Sequence, residues 1–228
     1  MSIYNFLLTV LWTLSLNQEM LLVLKINKME EIMLPAPKTK GVVSVEEALY
    51  KRRSIREYKD EPLTIREVSQ LLWAAQGITA EWGGRTAPSA GATYPLEIYL
   101  LAGKVEGLNS GLYHYIPGSH SLRKVLAGDL RKELSRAALG QRCIKEAPIT
   151  LVIAAIYKRT TGRYGERGIK YVHLETGHVG ENIYLQAEAL GLGTAGIGAF
   201  YDEEVKRILK LKKEETVLYL MPVGKRKE

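Results

Sequence analysis

The apolar positions of this chain fall into short strand-like runs and longer helix-like stretches that do not alternate regularly. Runs rich in aliphatic, β-branched and aromatic residues predict strands at 96–102, 111–117, 121–126, 148–156 and 216–223. The run at 148–156 is apolar at nearly every position, which is typical of a central strand covered on both faces. Pro117-Gly118 predicts the turn of a hairpin.

Helix-like periodicity and capping signals account for the other predicted elements. Ser44 and Thr64 are each followed three residues later by a glutamate, which is the capping-box pattern that opens a helix. Helices are predicted to begin after Ser44, Thr64, Asp129 and Asp202 and to span 168–190. Segment 158–167 is polar and basic and is expected to be a loop. Because strands and helices are mixed without regular alternation, we expect an α+β sandwich.

The first 41 residues differ in composition from the rest of the chain, which is expected to form one domain over residues 42–228. Residues 3–24 are mostly apolar, but no Lys or Arg precedes them and no small-residue cleavage site follows, so a signal peptide is not favoured. The longest uncharged stretch is short for a bilayer span, which needs about 20 residues. Three interpretations stay open: an added amphipathic helix, an over-long gene start with Met29 as the initiator, and membrane contact. Residues 31–41 are expected to be an extended linker.

Composition narrows the class of protein without identifying a function. The 228 residues are 46% hydrophobic and 25% charged, as in an ordinary globular domain. Cys143 is the single cysteine, so no internal disulfide forms and a cytoplasmic location is expected. The net charge of +7 suits an anionic ligand, but it is spread along the chain without a basic tail containing interleaved aromatics, so nucleic-acid binding is not favoured.

A dense group of cations provides the first candidate chemistry. Arg52, Arg53, Ser54 and Arg56 lie within five residues. A guanidinium binds phosphate oxygens through a planar fork, and a serine hydroxyl adds a short hydrogen bond to the same group. From this pentapeptide alone, a solvated basic turn is an equally good interpretation.

Glycine-rich segments provide a second candidate. Segment 191–196 matches the dinucleotide-binding pattern G-x-G-x-x-G, but it follows a predicted helix rather than a strand, so a Rossmann site is not favoured. The loop at 87–95 and the turn Gly196-Ile197-Gly198 nevertheless allow a flat ligand to approach the backbone closely. A simple helix stop is the alternative for the second segment.

Other kinds of site lack support in the sequence. His173 and His178 are five residues apart, which is about 500° around a helix, so they do not share a face for a metal. Nothing near Cys143 in the sequence would lower its thiol pKa, and there is neither a G-x-S-x-G motif nor a P-loop. Phosphate-binding charge without a nucleophile or an acid–base pair favours chemistry supplied by a cofactor.

Four segments, taken in chain order, resemble the motifs of the nitroreductase-like flavoprotein family. They are the arginine–serine signature at 52–58, the P-S-x-G loop at 88–95, the A-L-G-L-G-T segment at 189–198 and the P-V-G-K end at 222–225. The resemblance covers about residues 42–226. It implies a three-layer α/β/α sandwich with a mainly antiparallel, mixed central sheet, and a homodimer with FMN at the subunit interface.

The resemblance also implies which residues hold FMN. The phosphate and ribityl chain would be bound by Arg52, Arg53, Ser54, Arg56, Lys225 and Arg226. The isoalloxazine ring would lie beside Pro88, Ser89, Ala90 and Gly91 of the other subunit and near the backbone of Gly196, Ile197 and Gly198. An asparagine common in that loop is absent, since Gly91 and Ala92 stand near its place.

Two further segments, 111–115 and 163–167, resemble the SagB-type dehydrogenase branch, which includes oxidases that convert peptide thiazolines and oxazolines into azoles. Those oxidases carry a Lys-Tyr pair where this chain has Arg163 and Tyr164, its candidate catalytic residues. A desolvated lysine releases a proton near neutral pH and an arginine does not. The departure counts against azoline oxidation and leaves flavin binding untouched.

The expected function is therefore an FMN-dependent oxidoreductase. NAD(P)H would reduce the flavin, and an electron-poor small molecule such as a nitroaromatic or a quinone would then be reduced. Two alternatives stay open: an azoline peptide dehydrogenase, and a flavin-binding dimer without turnover.

Overall fold

A computed structural model describes residues 31–227 of the protein. In chain order, its elements are β1 (Glu31–Met33), α1 (Val45–Lys51), α2 (Ile65–Gln76), a 3-10 turn (Ala90–Ala92), β2 (Leu96–Ala102), β3 (Gly111–Ile116), β4 (Ser121–Ala127), α3 (Arg131–Ala137), α4 (Arg142–Glu146), β5 (Ile149–Ala155), α5 (Lys158–Tyr164), α6 (Arg167–Ala189), β6 (Leu192–Thr194), α7 (Asp202–Leu209) and β7 (Thr216–Lys225). The predictions for residues 1–30 lie outside the described residues.

The strands form one seven-stranded sheet in the order β1-β4-β3-β2-β5-β7-β6. The pairings of β2 with β3 and β5, of β3 with β4, and of β7 with β5 and β6 are all antiparallel. A parallel bridge between Ser54 and Thr194 adds an extended segment at the β6 edge. The sheet confirms the predicted α+β fold with a mainly antiparallel sheet.

Alternation along the strands separates two cores, one on each face of the sheet. In β2, Ile98 and Leu100 pack in the core formed with α2 and α6, whereas Tyr99 and Leu101 pack in the core formed with α3, α4 and α7. Every residue of β5 is buried, as predicted for a strand covered on both faces. The layers are therefore helices, sheet and helices.

Capping chemistry sets where several helices begin. Thr64 and Glu67 form the complete capping box before α2, and the Ser44 side chain accepts a hydrogen bond from the Glu47 amide before α1. The prediction that Asp129 caps α3 was wrong by one residue: Leu130 occupies the cap position, although the Asp129 carboxylate still accepts from the Arg131 amide at 3.1 Å.

The prediction of a loop at 158–167 was wrong, because Lys158–Tyr164 forms α5. Only Thr160 of this helix is buried, so it has no apolar stripe that periodicity would detect. Three short elements, β1, α4 and β6, were also missed, because three to five residues are too few to show a period.

Segment 31–41 is extended beyond β1, as predicted for a linker, and it also contributes to the core. Leu34 is buried, and the Lys38 amide donates to the Gln70 side chain at 2.8 Å. No helix formed by residues 31–227 combines the length and apolar character that a bilayer crossing requires.

Candidate functional site

The arginine stretch lies at the sheet edge because its backbone is bound on two sides. The Ile55 amide donates to the Thr194 carbonyl of β6 at 2.8 Å, and the Lys59 amide donates to the Lys225 carbonyl of β7 at 2.9 Å. Gly193 makes room for this approach, since a Cβ there would lie 2.6 Å from the Cγ2 of Ile55.

Tyr184 of α6 joins three of the predicted binding segments. The Gly196 amide donates to the Tyr184 hydroxyl at 2.6 Å, and the Ser54 hydroxyl lies 3.0 Å from the same oxygen. The Arg52 guanidinium carbon lies 5.2 Å from the centroid of the Tyr184 ring. Because an amide N–H only donates, the tyrosine oxygen accepts from Gly196, and its own hydrogen is available to Ser54. In that arrangement the Ser54 hydrogen is free for a ligand.

Arg52 and Arg53 retain donors around this junction. Arg52 is partly exposed, and its Nε lies 4.0 Å from the Glu181 carboxylate. Arg53 is exposed, and its Nη1 donates to the carbonyls of Tyr50 and Arg52 at 3.0 and 2.7 Å. Within residues 31–227 neither arginine forms a close ion pair with a carboxylate, so their charge is available to an anion.

The structure separates Arg56 from the other members of the predicted clamp. Arg56 lines a cavity of about 330 Å³ together with Arg142, Cys143 and Lys227, beside α4 in the opposite helical layer. Burial raises the pKa of the Cys143 thiol, which keeps it protonated, as expected for a core cysteine.

The predicted C-terminal cations are paired within the chain. Lys225 forms an ion pair with Glu67, and Arg226 forms one with Glu188 while its Nε donates to the Leu192 carbonyl at 2.8 Å. Burial tends to raise the pKa of Glu67, but hydrogen bonds from Lys225 and Thr64 outweigh it and hold that pKa below its usual value. These two cations secure the ends of β6 and β7.

The loop of Pro88, Ser89, Ala90 and Gly91 packs against the two candidate catalytic residues. Arg163 donates from Nη1 to the Gly91 carbonyl at 3.1 Å. Gly91 has φ +60°, and a Cβ there would lie 2.5 Å from the Tyr164 hydroxyl and 2.8 Å from Arg163 Nη1. Glycine at this position therefore allows both the left-handed backbone and the close approach.

A buried polar network that was not predicted from the sequence packs against the inner side of this loop. Ser89 accepts from the Tyr94 amide at 2.9 Å and also contacts the carboxyl of Glu175, which is 2% exposed. Gln76 donates to Glu175 at 3.4 Å and accepts from Arg85 at 2.8 Å. Burial raises the pKa of Glu175. No motif marks these residues, because only the fold brings them together.

The two groups of candidate residues lie on opposite sides of α6. Glu175 belongs to the group beneath the loop and Tyr184 to the junction with the arginine stretch. They are nine residues apart, which is about 14 Å along the helix and about half a turn around its axis. Between them the helix presents an exposed face containing Leu174, Gly177 and Glu181. Within one chain the predicted site is thus divided into two parts.

Comparison with known proteins identifies the family of the chain. The model of the nitroreductase family matches residues 49–225. The chain belongs to the nitroreductase family. It is 54% identical over 186 residues to MJ1384 of Methanocaldococcus jannaschii, which carries the name of a nitroreductase, covering 82% of this chain and 93% of that one. It is 29% identical over 157 residues to the microcin B17-processing protein McbC of Escherichia coli, covering 65% of this chain and 57% of McbC.

Solved structures of family members share the fold. A nitroreductase from Anabaena variabilis gives a TM-score of 0.78 at 30% identity, with 88% of this chain covered but only 42% of that one. A nitroreductase from Ralstonia eutropha gives 0.76 at 29%, covering 89% and 92%. The E. coli microcin synthetase McbBCD complex gives 0.66 at 25%, covering 90% and 80%. The NADPH:FMN oxidoreductase of Vibrio harveyi gives 0.59 at 20%, covering 81% and 69%, which shows the fold alone.

Replacing Tyr184 by Phe should loosen the junction without unfolding the protein. The change removes the acceptor of the part-buried Gly196 amide, and loss of a hydrogen bond of this kind costs about 1 kcal/mol. We expect a lower thermal midpoint and faster hydrogen exchange at Gly196. Tyr201→Phe, at an exposed tyrosine on the loop before α7, is the matched control. Wild-type exchange in Tyr184→Phe would contradict the role of this hydroxyl.

Proposed function

We propose that the protein is an FMN-dependent oxidoreductase that passes electrons from NAD(P)H to an electron-poor small molecule such as a nitroaromatic or a quinone. The observation that carries the proposal is the junction at Tyr184. It brings a guanidinium with spare donors, a serine hydroxyl and the Gly196 turn to one place. The relative named as a nitroreductase, MJ1384, supports a redox enzyme of this family.

The residues present fit a flavin mononucleotide. Arg52 and Ser54 offer the charge and the hydrogen-bond donor that a phosphate accepts. Gly198 is exposed, with no heavy atom within 4 Å of where its Cβ would lie, so a flat ring can approach the backbone there. When bound, FMN would supply hydride acceptance and electron transfer, and the protein would supply binding and orientation.

The chain's own groups have separate tasks in this proposal. Arg52, Arg53 and Ser54 bind the phosphate end, and Tyr184 orients Ser54. Arg163 fixes the carbonyl of Gly91, and with it the loop that includes Pro88, Ser89 and Ala90. The backbone of residues 196–198 lies along the ring. Arg56, Lys225 and Arg226 remain proposed contacts, although the structure places Arg56 in a separate cavity and pairs the other two with glutamates.

We further propose that two copies of the chain complete each site, with the loop of one copy meeting the arginine stretch of the other. The two groups are on opposite sides of α6 in one chain, so a second chain is needed to bring them face to face. Gly177 supports this arrangement. It lies mid-helix on the exposed face, where a glycine costs about 0.5–1 kcal/mol relative to alanine, and no atom of residues 31–227 fills the space beside it.

The affinity for FMN should depend on the arginine stretch. The purified protein is expected to show flavin absorbance, or to bind added FMN, and to bleach on anaerobic mixing with NADPH or NADH. Arg52→Ala should raise the dissociation constant for FMN by about tenfold or more, since a charge-assisted contact contributes about 1.5–3 kcal/mol. Arg56→Ala should have a smaller effect because of its separate position.

Fluorescence titration with FMN measures these constants, and Arg207→Ala, at an exposed arginine of α7, is the matched control. Equal losses of FMN affinity in Arg52→Ala and Arg56→Ala would indicate that Arg56 also binds the phosphate. A protein that neither contains nor takes up FMN would remove the proposed function, and one that binds FMN but never bleaches would favour a flavin-binding dimer without turnover.

A bulky charge at Gly177 should separate the copies. Gly177→Arg is expected to convert a dimer into monomers in sedimentation velocity and to lower flavin content with it, because each site would lose its partner loop. Gly118→Arg, at an exposed turn with equally open space, should change neither. A Gly177→Arg protein that stays dimeric would place the interface elsewhere.

A second candidate function is oxidation of peptide azolines, and one observation favours it. Arg163 and Tyr164 contact the loop at Gly91, the place where a group acting on substrate beside the flavin is expected. The likeness to McbC and to the McbBCD complex points the same way. Arginine in place of lysine counts against it, because a guanidinium does not give up its proton.

An oxidation assay with a thiazoline-containing peptide distinguishes between the two candidate functions. With the flavin-loaded protein, oxygen and no NAD(P)H, mass spectrometry should show no loss of two hydrogens from the peptide. Arg163→Lys restores a group that can release a proton and is the variant to test beside the wild type. Azole formation by the wild type would make the second candidate the better proposal.

A further inference from the structure

The start of α6 and the end of α5 carry a concentration of positive charge, of which the flavin proposal uses only Arg163. Segment 158–170 contains five Lys or Arg and one Glu, a net charge of +4 against +7 for the whole chain. Arg159 is paired with Glu97. Among the described residues, no carboxylate forms an ion pair with the other four cations, Lys158, Arg163, Arg167 and Lys170.

Two of these cations, Arg163 and Arg167, lie beside a pair of tyrosines in edge-to-face contact near the loop. The rings of Tyr164 and Tyr171 meet edge to face with centroids 5.2 Å apart. The Arg163 guanidinium carbon lies 5.4 Å from the Tyr164 centroid, and that of Arg167 lies 5.9 Å from the Tyr171 centroid. A chain of contacts thus runs from the Gly91 carbonyl through Arg163 and both rings to Arg167.

Helix geometry adds Lys170 to the same surface. Residues three and four apart are neighbours on a helix, so Arg167, Lys170 and Tyr171 share one side of α6. Arg167 and Lys170 are exposed and both tyrosines are partly exposed. The result is a surface with cationic donors next to aromatic rings, which we call the Arg167 patch: Arg163, Tyr164, Arg167, Lys170 and Tyr171.

We propose that the Arg167 patch binds the phosphorylated adenosine end of a nicotinamide dinucleotide, and so makes the protein prefer NADPH to NADH as its electron donor. The inference rests on the proposed function and specifies its donor. Guanidinium and ammonium groups match a 2′-phosphate, which NADH lacks, and the tyrosine rings offer a surface on which adenine packs. The Arg163 contact to Gly91 places the patch at the loop assigned to the flavin ring.

A fragment of the donor tests the patch without relying on activity. Adenosine 2′,5′-bisphosphate and 5′-AMP differ by the 2′-phosphate, and isothermal titration of the purified protein compares them directly. We expect the bisphosphate to bind at least about tenfold more tightly, as two charge-assisted contacts would give. In the double variant Arg167→Gln, Lys170→Gln, this ratio should fall to about two or less.

Two controls keep the result specific. The double variant Lys132→Gln, Arg136→Gln removes the same two charges from exposed positions of α3 and should leave the ratio unchanged. Inorganic pyrophosphate should bind more weakly than the bisphosphate, because it has no ring to pack on the tyrosines. Equal binding of the bisphosphate and AMP by the wild type, or of pyrophosphate and the bisphosphate, would overturn the proposal, as would an unchanged ratio in the α6 double variant.

Reduction of bound flavin then distinguishes this inference from the proposed function. In stopped flow, the wild type should bleach at lower NADPH than NADH concentrations, and the α6 double variant should lose that preference while still bleaching with both. If bleaching depended equally on the concentrations of NADPH and NADH, the proposed function would still hold, but the patch would have no role in choosing the donor. Absence of flavin would remove the proposed function, whereas fragment binding would still report on the patch.

Discussion

The backbone amide of Gly196 needs an acceptor, and the hydroxyl of Tyr184 provides it from another element of the fold. That single hydrogen bond ties the turn after β6 to the C-terminal third of α6. Because the same oxygen also contacts Ser54, the arginine stretch is held at the same point. The Gly196 turn and the Ser54 side chain therefore share one phenolic hydroxyl. A phenylalanine there would keep the ring beside Arg52 but would lose both contacts of the hydroxyl.

The sequence was most informative where one residue or a short repeat determines local structure. The apolar run at 96–102 became β2 with the same bounds, and the Thr64–Glu67 capping box opens α2. The family motifs were also found in order, because each is continuous in sequence. Helix α5 was missed, since only Thr160 along it is buried and polarity suggested a loop.

The sequence predicted which segments form the candidate site, but not which of their side chains contact one another. Ser54 and Gly196 were selected from the sequence, yet Tyr184, which contacts both, belongs to no motif and was not singled out on its long helix. Glu175 lacked any signal, since a glutamate on a predicted helix is usually solvated, and only the fold shows that it is buried beneath Ser89. Lys225 and Arg226 were predicted to bind phosphate together with the arginine stretch. Their ion pairs were not predicted, because Glu67 and Glu188 are far away in sequence.

The geometry of α6 keeps the two groups of candidate residues apart within one chain. Its buried side anchors the sheet, and its two flanks hold the loop network at Glu175 and the junction at Tyr184. A helix keeps those flanks apart by its own geometry, so one chain cannot close the site without breaking α6. Two chains packed across the exposed face need only a close approach, which Gly177 permits.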